Sequence, residues 1–546
     1  MEPVTWDLTI EWEVIPSTES CQIAGVLPLT ADGPSTIVLT CGIGEVLLLS
    51  GADGGVIGSA VSDIGINHHS GAVAFPEVGA DAIVSFEDDV SGGGLSFVTM
   101  ADGLPHHLPL ESDQDIYVPT ALVDLDRDGR AEIVSNVGAV TLDGATHATW
   151  YEYYPPGEGY PLVADLHQDG RLWIVNKSGI WSTEDGEGQS WPMDAEWRYD
   201  VAAFQKVALF HFDAPVLGLE MNLNFRLIDV DLNTLWTIPI RADPNSGGQA
   251  DVSAGDANGD GAPDICLPTE NGLLLLSLDG EVEQTWARDE RNRVAGGCTL
   301  VDLDADGVYE VLDFGYLDGL WVLDGRDGAV LASDPGFTRS AINGAPIVAD
   351  LDGDGSAEIL VQGGEANTLL RSYGPSSGRW ARTRRVWHQR SYDITSISDE
   401  GTILTWPFPS WEAYNAFRAQ PAHDGNHPDL GVLAPWACAD VCVDGLPQGT
   451  VYVAAQVHNS GSSDAPSPVT VRLSVWDPEA PVPALSEVAS QVLTEPVPAM
   501  RTVSGVLLEV PAESWTGYQV LQVDGSHPDE CDRVNDRVEL RLDPCG

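Results

Sequence analysis

The stretch DLDRDGRAE, residues 124–132, places four acidic side chains within nine residues, directly ahead of Ile133 and Val134. The acids stand at positions 1, 3, 5 and 9, and Gly129 stands at position 6. Alternate spacing lets three short carboxylates converge on one point, and glycine at position 6 permits the sharp turn that this requires. Position 7 can add a backbone carbonyl oxygen, and position 9 can close the site. This all-oxygen ligand set suits Ca²⁺ and contains no soft ligand that would favour zinc or copper.

The same loop occurs in four complete copies, at residues 124–132, 256–264, 302–310 and 350–358, and apolar residues follow each copy. A single loop could arise by chance in a chain with 84 acidic residues, but four copies favour calcium. We predict about four bound Ca²⁺ ions, with ligands at positions 1, 3, 5, 7 and 9 of each loop. The predicted ligands are Asp124, Asp126, Asp128, Arg130, Glu132, Asp256, Asn258, Asp260, Ala262, Asp264, Asp302, Asp304, Asp306, Val308, Glu310, Asp350, Asp352, Asp354, Ser356 and Glu358.

A fifth copy of the loop, DLHQDGRLW at residues 165–173, departs from the pattern. His167 and Trp173 stand where the complete copies carry two of their carboxylates. We therefore predict that this loop binds no ion and is a structural relic of the repeat.

The composition excludes one broad class of partner. The 546-residue chain carries 25 basic against 84 acidic residues, which gives a net charge of −59. Phosphate contacts need a basic surface, so general nucleic-acid binding is excluded and anionic membrane surfaces are disfavoured. No apolar run of transmembrane length is present, which predicts no direct membrane insertion. The chain is too long for one ordinary domain, and its 43% hydrophobic content is sufficient for globular cores.

The eight cysteines, an even number, predict disulfides formed outside the cytoplasm. Cys21 and Cys41 lie symmetrically about a turn near Ala31, as a cross-strand pair of one hairpin would. Cys266 and Cys298 lie on neighbouring repeats and could bridge them. Buried free thiols are the alternative, and zinc is disfavoured because no CxxC pair occurs. Two further disulfides are predicted near the C-terminus, each joining an early to a late member of the set Cys438, Cys442, Cys531 and Cys545.

Strand-like repeats surround the acidic loops. In APIVADLDGDGSAEILVQGG, residues 345–364, one apolar strand precedes the loop and a second follows it, ahead of a Gly-rich turn. A fourth strand that carries Trp often closes the unit, as in EQTWARDE at 283–290. With degenerate copies, we count eight units at a spacing of about 40 to 50 residues, the period of a β-propeller blade. The N-terminal stretch TWDLTIEWEV, residues 5–14, has the form of an isolated fourth strand that could pair into the last blade and close the ring.

The DxDxDGxx[DE] loops and their flanking strands resemble the FG-GAP/VCBS-type repeats of bacterial secreted proteins and of integrin α-chain propellers. The resemblance covers residues 1–400. It implies a β-propeller in which each complete loop joins two strands of one blade and binds Ca²⁺. Integrin-like propellers usually have seven blades, so the resemblance leaves the count at eight or seven.

The remainder of the chain divides into two parts. In residues 401–428, SWEAYNAFRAQ (410–420) predicts one short helix and the following residues predict a linker. From residue 429 to residue 546, strands alternate with Pro/Gly/Ser turns, a pattern typical of an Ig-like β-sandwich. Within this part, HNSGSSDAPSPV (458–469) and ECDRVND (530–536) resemble the bacterial cell-adhesion-related (CARDB) domain.

No catalytic constellation stands out in the sequence. His423 and His427 are four residues apart, but Gly425 and Pro428 disfavour the helix that would align them on a metal. His388 belongs to the aromatic stretch RVWHQRSYDITSISDEGTI (385–403), whose aromatics we expect to pack against the propeller. No nucleophile elbow, Walker loop or dinucleotide fingerprint occurs. Carboxylate pairs for polysaccharide chemistry stay possible among so many acids.

These features predict a non-catalytic, calcium-binding adhesion or recognition protein that binds an extracellular protein or glycan through propeller loops. The adhesion role is implied by the family resemblance. One alternative is a calcium-dependent polysaccharide lyase or hydrolase on a propeller scaffold, and another is a structural subunit of a surface filament or layer. No signal peptide is visible, so we expect an extracellular or cell-surface protein whose signal peptide has been removed.

Overall fold

The structure is a computed structural model. It describes residues 6–17, 21–28, 33–41, 45–61, 72–74, 83–87, 94–99, 105–109, 120–125, 131–135, 138–141, 146–149, 161–164, 166, 172–176, 179–182, 188–190, 204–211, 215–221, 224–240, 251–287, 297–315, 319–338, 344–364, 369–394, 396–398, 401–404, 416–422, 430–443, 446–459, 465–476, 485–497, 501–515, 519–524 and 537–540. Across these residues the chain is all-β, and its one helical element is the 3₁₀ turn Ala512–Ser514. No helix in this part of the chain is long and apolar enough to cross a membrane.

The chain separates into two compact units. The described residues as far as Ala422 belong to the first unit, and those from Leu430 onward belong to the second.

The strands of the first unit form eight sheets within the described residues, and most of these sheets follow chain order. Neighbouring strands run antiparallel, except for one short parallel strand that is added to sheet seven. The first strand is β1 (Leu8–Val14). Sheet one contains β2 (Cys21–Leu27), β3 (Thr36–Cys41), β4 (Glu45–Ser50) and β5 (Val56–Val61); sheet two contains β6 (Ala72–Ala74), β7 (Ile83–Glu87), β8 (Gly94–Thr99) and β9 (Pro105–Pro109); sheet three contains β10 (Thr120–Val123), β11 (Glu132–Ser135), β12 (Gly138–Val140) and β13 (Thr146–Thr149); sheet four contains β14 (Leu162–Ala164), β15 (Trp173–Asn176), β16 (Gly179–Ser182) and β17 (Gly188–Ser190).

The second half of the unit repeats this arrangement. Sheet five contains β18 (Phe204–His211), β19 (Pro215–Met221), β20 (Asn224–Asp229) and β21 (Thr234–Pro239); sheet six contains β22 (Ser253–Gly255), β23 (Asp264–Thr269), β24 (Gly272–Leu276) and β25 (Val282–Ala287); sheet seven contains β26 (Gly297–Val301), β27 (Glu310–Gly315), β28 (Gly319–Leu323) and β29 (Val330–Asp334); sheet eight contains β30 (Ile347–Ala349), β31 (Glu358–Gly363) and β32 (Leu369–Pro375).

The N-terminal strand completes the last sheet. Sheet eight has the order β1-β32-β31-β30, and β1 runs antiparallel to β32 from the pair Leu8–Pro375 to the pair Val14–Leu370. The pairing predicted for residues 5–14 is therefore confirmed over Leu8–Val14. Edge strand β32 gains a partner from the other end of the chain, which satisfies backbone groups that would otherwise stay unpaired at that edge.

Burial within each sheet follows the position of the strand. The second strands β3, β23 and β27 are buried along their whole length, whereas the fourth strand β21 alternates between exposed and half-buried residues. Continuous apolar runs suit strands covered on both faces, and alternation suits a strand with one face in solvent. Apolar cores lie between consecutive sheets, as where Phe314 of sheet seven and Ile359 of sheet eight belong to one cluster.

Tryptophans of the fourth strands connect neighbouring sheets, a role that the sequence patterns did not predict. The indole Nε1 of Trp236 in sheet five donates to Leu278 O in sheet six at 2.7 Å, and Trp286 in sheet six donates to Gly328 O in sheet seven at 2.9 Å. Trp12 of β1 makes the same bond to Gly51 O in sheet one, at 2.7 Å. Each bond reaches the hairpin between the third and fourth strands of the next sheet, and the Trp12 bond joins sheet eight to sheet one.

A central segment, residues 380–394 with 396–398, 401–404 and 416–422, contacts the first strands of several sheets. Trp387 exchanges two backbone hydrogen bonds with Val26 of β2, and Phe417 exchanges two with Ala254 of β22. A short strand, β33 (Ala419–Gln420), pairs in parallel with β26 of sheet seven. The first strands of these sheets therefore converge on one buried stretch of chain.

The helix predicted for residues 410–420 is wrong over its described part, residues 416–420. Phe417 forms a β-bridge and Ala419–Gln420 forms β33. The backbone groups of these residues pair with β22 and β26, and this tertiary pairing outweighs local helix propensity. The rest of the predicted helix, residues 410–415, lies outside the described residues. Residues 423–428, which make up most of the predicted linker, also lie outside them.

The second unit contains two antiparallel sheets in its described part. One has the order β34-β35-β38, and the other has the order β37-β36-β39-β40. Val453 of the first sheet and Leu473 of the second belong to the same apolar core. The bounds are β34 (Leu430–Val443), β35 (Leu446–Asn459), β36 (Val469–Trp476), β37 (Leu485–Leu493), β38 (Arg501–Pro511), β39 (Gln519–Asp524) and β40 (Arg537–Leu540).

Two of the predicted disulfides are confirmed. Cys21 and Cys41 are directly opposite each other in the β2–β3 hairpin and are bonded. Cys266 of β23 and Cys298 of β26 are bonded across sheets six and seven. Both bonds were predicted from spacing, the first as a hairpin pair and the second as a bridge between repeats.

The prediction for the terminal cysteines is wrong for Cys438, which is an exposed free thiol. Cys442 does form a disulfide, and its partner, Cys531 or Cys545, lies outside the described residues. Cys438 and Cys442 lie on the same strand, where residues four apart are separated by about 13 Å. A disulfide needs Cα atoms within about 7 Å, so the bond of Cys442 does not by itself bring a partner to Cys438.

Candidate metal-binding loops

Each complete acidic loop connects the first and second strands of one sheet. Position 9 is the first residue of the second strand, and it pairs with the residue just before position 1. The pairs are Val123–Glu132, Gly255–Asp264, Val301–Glu310 and Ala349–Glu358. The identical register brings positions 1 and 9 together at the base of each loop. Six of these residues at the base of the loops are at most 2% exposed, namely Asp124, Glu132, Asp264, Glu310, Asp350 and Glu358.

Backbone hydrogen bonds hold the base of each loop. The position-9 carboxylate accepts from the N–H of position 2 in all four loops, at 2.8 Å from Leu125, 2.9 Å from Ala257, 2.7 Å from Leu303 and 2.6 Å from Leu351. In the three loops described throughout, the position-1 carboxylate accepts from the glycine N–H at position 6, at 2.8, 3.0 and 3.2 Å. These bonds fix the carboxylates before any ion arrives, which reduces the ordering cost of binding.

Two positions have left-handed backbone in each of the three loops that the structure describes throughout. The position-6 glycines have φ values of 84° to 88°, as the sequence predicts. Position 4 is also left-handed, with φ 82° at Gly259, 81° at Gly353 and 56° at Ala305. The spacing of the acids did not indicate this second requirement, because Arg127 and Ala305 replace glycine at position 4 in two of the four copies.

Ala305→Gly should stabilise the first unit by about 1 kcal/mol, because a side chain in the left-handed region costs about 1–2 kcal/mol. The matched control is Gly353→Ala at the same position of the next loop, which should destabilise by a similar amount. Thermal unfolding of both metal-free variants measures the effect. Two shifts of the same sign would contradict the assignment of position 4.

The carboxylates of two loops form compact clusters suited to a cation. Ligand oxygens of Asp302, Asp304 and Asp306 lie within 4.8 Å of one another, and so do those of Asp350, Asp352 and Glu358. In the loop at residues 256–264, position 3 is an amide. Asn258 Nδ2 donates to Asp264 at 3.3 Å and to Glu283 at 2.8 Å.

The electrostatics of these clusters show what a cation would relieve. Burial raises the pKa of Glu358 to about 10, and that of Glu310 to about 9. Burial also raises the pKa of Asp264 to about 8, with Glu283 adding to the rise, and that of Asp302 to about 7. The charged form of each group is disfavoured because it is desolvated among other acids. A divalent cation would supply the missing counter-charge.

Fourth strands add acids that the sequence analysis missed. Glu283 of β25 contacts the loop at 256–264 through Asn258, and Glu11 of β1 contributes to the raised pKa of Glu358. Burial raises the pKa of Glu11 itself. Both acids belong to the same sheet as the loop that they face. An acid within the Trp-bearing strand is the sequence signal that could have identified them.

Arg326 already supplies a positive charge to one loop. Its Nη2 donates to Asp306 Oδ2 at 2.5 Å from the hairpin between β28 and β29, and both side chains are about two-fifths exposed. Arg326 therefore competes with a cation for the position-5 carboxylate.

Arg326→Ala should raise the calcium affinity of the loop at 302–310 by about twofold to fivefold, since an exposed ion pair is worth up to about 1 kcal/mol. Calorimetric titration measures this in a background where Asp124, Asp256 and Asp350 are each replaced by Asn. Arg472→Ala is the control, because Arg472 is similarly exposed in an ion pair of the second unit. Equal affinities before and after the Arg326 change would refute the competition.

Several residues that the sequence analysis considered lie outside the described residues, namely Asp126, Asp128, Arg130, His423 and His427. Trp173 pairs with Ala164 in the register of a position-9 residue, so an indole replaces the closing carboxylate of the fifth loop. The absence of an ion there stays a prediction.

His388 is packed among aromatic side chains, as its place in the aromatic stretch predicts. It is fully buried, and its ring lies 5.9 Å from that of Tyr392. Burial, with a contribution from Arg384, lowers its pKa to about 3.

No family model matches the chain, and no curated protein matches it significantly. Among solved structures, the Vibrio cholerae biofilm matrix protein Bap1 is similar with a TM-score of 0.59 and 15% identity, over 77% of this chain and 99% of that one. BamB from Moraxella catarrhalis gives a TM-score of 0.42 and 14% identity, over 68% and 99% of the two chains. The Bap1 likeness shows an all-β repeat fold of propeller-like type. The resemblances to FG-GAP/VCBS repeats and to CARDB domains stay predictions.

Proposed function

We propose that the first unit is an eight-bladed, calcium-stabilised β-propeller of the FG-GAP/VCBS type. Three observations support the ring: eight consecutive sheets, a last sheet completed by β1, and the Trp12 bond from sheet eight to sheet one. The convergence of first strands on the central segment also suits a propeller, whose innermost strands surround an axis. The second unit is proposed to be an Ig-like sandwich related to the CARDB domain.

The acidic loops carry the calcium proposal. The single observation behind it is the recurrence of one hydrogen-bonded loop geometry that gathers desolvated carboxylates, at 302–310 and 350–358 above all. Position 1, 3, 5 and 9 side chains with a position-7 carbonyl would hold each ion. A bound Ca²⁺ supplies positive charge that neutralises the carboxylates. The chain's own contribution is the prearranged backbone that keeps these oxygens close.

Titration calorimetry of the metal-free chain tests this proposal. The expected stoichiometry is about four Ca²⁺ ions, with dissociation constants on the order of 10⁻⁴–10⁻³ M for extracellular sites. Replacing one position-1 Asp by Asn should remove one ion, whereas Asp53→Asn in an exposed hairpin should remove none. Fewer than two ions in the unaltered chain would refute the proposal.

The whole protein is proposed to act outside the cell as a non-catalytic adhesion or recognition protein. Two disulfides fit an oxidising location, and Bap1, which shares the fold, is a biofilm matrix protein. Loops at the faces of a rigid ring would bind a protein or glycan. Calcium would fix the acidic loops that connect the first and second strands of four sheets. The net charge of −59 favours neutral or cationic partners.

Glycan and matrix-protein arrays probed with calcium-loaded and metal-free chain test the adhesion role. Calcium-dependent retention of the protein on a glycan or protein, without cleavage of that partner, supports the adhesion role. Release of unsaturated or shortened sugars from a bound polysaccharide would instead show an enzyme. Calcium-dependent polymers of the chain itself would show a structural subunit of a filament or layer.

A further inference from the structure

The fourth strands of the first unit share a β-bulge. In six of the eight sheets, one residue of this strand is inserted between two residues that pair with consecutive residues of the third strand. A bulge re-aims the side chain of its extra residue, often beside a functional site. The extra residues, from sheet one to sheet eight, are Ile57, His147, Leu235, Glu283, Leu331 and Glu11.

The chemistry of the bulge residue varies with the loop of the same sheet. Sheets one and five contain no complete acidic loop, and their bulge residues, Ile57 and Leu235, are exposed and apolar. Sheets six and eight each contain a complete acidic loop, and both of their bulge residues are glutamates. Sheet seven has a leucine at the bulge, and there Arg326 contacts the loop instead. The two glutamates therefore accompany acidic loops, which points to a role beside them.

Glu11 of β1 reaches across β32 toward the acidic loop of sheet eight. Ser372 Oγ donates to Glu11 Oε2 at 3.2 Å. The other carboxylate oxygen, Oε1, passes over Gly374, where a Cβ atom would lie only 2.3 Å from it. Gly374 follows the residue of β32 that pairs with Ile359, so it lies level with Glu358, the position-9 residue of the loop. Glycine at residue 374 thus leaves open the path of Glu11 to the loop.

The Glu11 carboxylate and the loop carboxylates act on one another electrostatically. The charges of Asp352 and Asp354 act on Glu11, and the charge of Glu11 acts on Glu358. Like charges this close repel, so without a cation they weaken the hold of sheet eight on β1. A cation between them would turn this repulsion into attraction. Glu11 is exposed, so an ion from solvent can reach its carboxylate.

We propose that calcium in the acidic loop of sheet eight also engages the Glu11 carboxylate and thereby locks the N-terminal strand β1 into that sheet. This inference rests on the proposed binding of calcium by the acidic loops. β1 is the edge strand of sheet eight, and its Trp12 donates to sheet one. One calcium site would therefore control closure of the proposed ring. Coupling is reciprocal: calcium stabilises the paired β1 by the factor by which the paired β1 raises calcium affinity.

Hydrogen–deuterium exchange of the β1 amides, Leu8–Val14, tests the proposal in the full chain with and without saturating Ca²⁺. Loss of a group that supports a bound metal weakens metal binding by about tenfold to a hundredfold. Calcium should therefore slow the exchange of β1 at least about tenfold in the parent and less than about twofold in Glu11→Gln. Strand β5, a fourth strand in a sheet without a complete acidic loop, is the reference for general stabilisation and should respond less than β1.

Two control variants separate the lock from other effects of charge. Glu13→Gln alters the same strand, but Glu13 accepts from Arg371 Nε at 2.7 Å and is not proposed to contact calcium. Glu283→Gln alters the same bulge position in sheet six. Both variants should keep the full calcium response of β1.

Gly374→Ala tests the geometry independently of charge. The three atoms nearest to the added Cβ all belong to the flexible side chain of Glu11, so the variant should fold with that carboxylate displaced. Its β1 should lose the calcium response as Glu11→Gln does. Melting temperatures identify a variant that fails to fold, and the other of the two variants then decides.

Titration calorimetry on the same samples distinguishes failure of the lock from failure of calcium binding. Calcium binding to the parent without slower exchange of β1 would refute the lock and leave the calcium proposal standing. The absence of calcium binding would refute both. A full calcium response of β1 in folded Glu11→Gln or Gly374→Ala would also overturn the lock.

Discussion

Removing calcium at about pH 8 is expected to lower the melting temperature of the first unit by about 10 °C or more. A ligand at a hundredfold excess over its dissociation constant stabilises a fold by about 2.7 kcal/mol per site, so four sites give on the order of 10 kcal/mol. A unit of this length shifts by roughly 1–2 °C per kcal/mol. The prediction rests on the proposed binding of calcium by the acidic loops.

The same effect is expected to be small near pH 5. Glu358, Glu310, Asp264 and Asp302 have folded-state pKa values of about 10, 9, 8 and 7, raised chiefly by burial above the ordinary values of these groups. Their protonated forms stabilise the metal-free fold below the unfolded pKa of about 4, and this stability is lost as pH rises through the folded values. Calcium replaces those protons. Its stabilising effect therefore grows with pH, and its binding releases protons near neutral pH.

Scanning calorimetry at both pH values, on dialysed metal-free chain with and without added Ca²⁺, measures this. Dialysis is preferable to a chelator, whose affinity itself falls in acid. The second unit is the internal reference, because its described residues contain no acidic loop of this kind. Equal calcium shifts at the two pH values, or equal shifts of the two units, would contradict the prediction.

A single substitution separates the loop from the general acidity of the surface. Glu358→Gln cannot ionise, so the metal-free variant should be more stable than the metal-free parent at about pH 8 and should bind about one ion fewer. Glu495→Gln, an exposed acid of the second unit, is the control and should leave both properties unchanged. A lower stability of metal-free Glu358→Gln at that pH would show that the buried carboxylate is not a source of strain.

The acidic loops and their flanking strands could be predicted because their determinants are local. Asp302, Asp306 and Glu310 stand at fixed offsets, and the strand that follows is continuous and apolar. The pairing of β1 with β32 was also predictable, since Trp12 repeats the signature of other fourth strands. Each of these predictions needed only a short stretch of sequence and a second copy of the repeat for comparison.

The path of the central segment could not be predicted in the same way. Residues 416–420 have a composition compatible with a helix, but Phe417 and Ala419 pair with strands more than a hundred residues earlier in the chain. Such pairings depend on where the tertiary fold places β22 and β26. The free thiol of Cys438 was missed for a related reason. A count of cysteines does not show which of them the fold brings within about 7 Å of one another, the Cα distance that a disulfide needs.

One sequence signal of the central segment was present but not used. Residues 379–390 contain five arginines, in a chain with only 25 basic residues in total. The structure buries Arg384 and Arg390 there, and Arg384 donates to Ile397 O at 2.7 Å. A basic run in a strongly acidic chain indicates an internal partner, here backbone carbonyls and Asp251.

Asp251→Asn is expected to destabilise the first unit by about 3–5 kcal/mol, the cost of removing one partner from a buried ion pair. Asp251 is 2% exposed and is bound by Arg390, by Arg418 and by Ala345 N at 3.2 Å. The amide has nearly the same shape but removes the negative charge that Arg390 and Arg418 share. Thermal unfolding of the calcium-loaded chain measures the loss.

Removing one of those guanidinium groups should restore part of the stability. Arg418→Met in the Asp251→Asn chain takes away a buried charge whose ion pair with Asp251 is already lost, so the double variant should be more stable than the sum of the two single effects. Glu487→Gln is the exposed control: its ion pair with Arg472 is open to solvent, and its loss should cost less than about 1 kcal/mol. An Asp251→Asn chain within about 1 kcal/mol of the parent would mean that groups other than Asp251 balance the two arginines. Strict additivity of the two changes would mean that Arg418 and Asp251 do not interact.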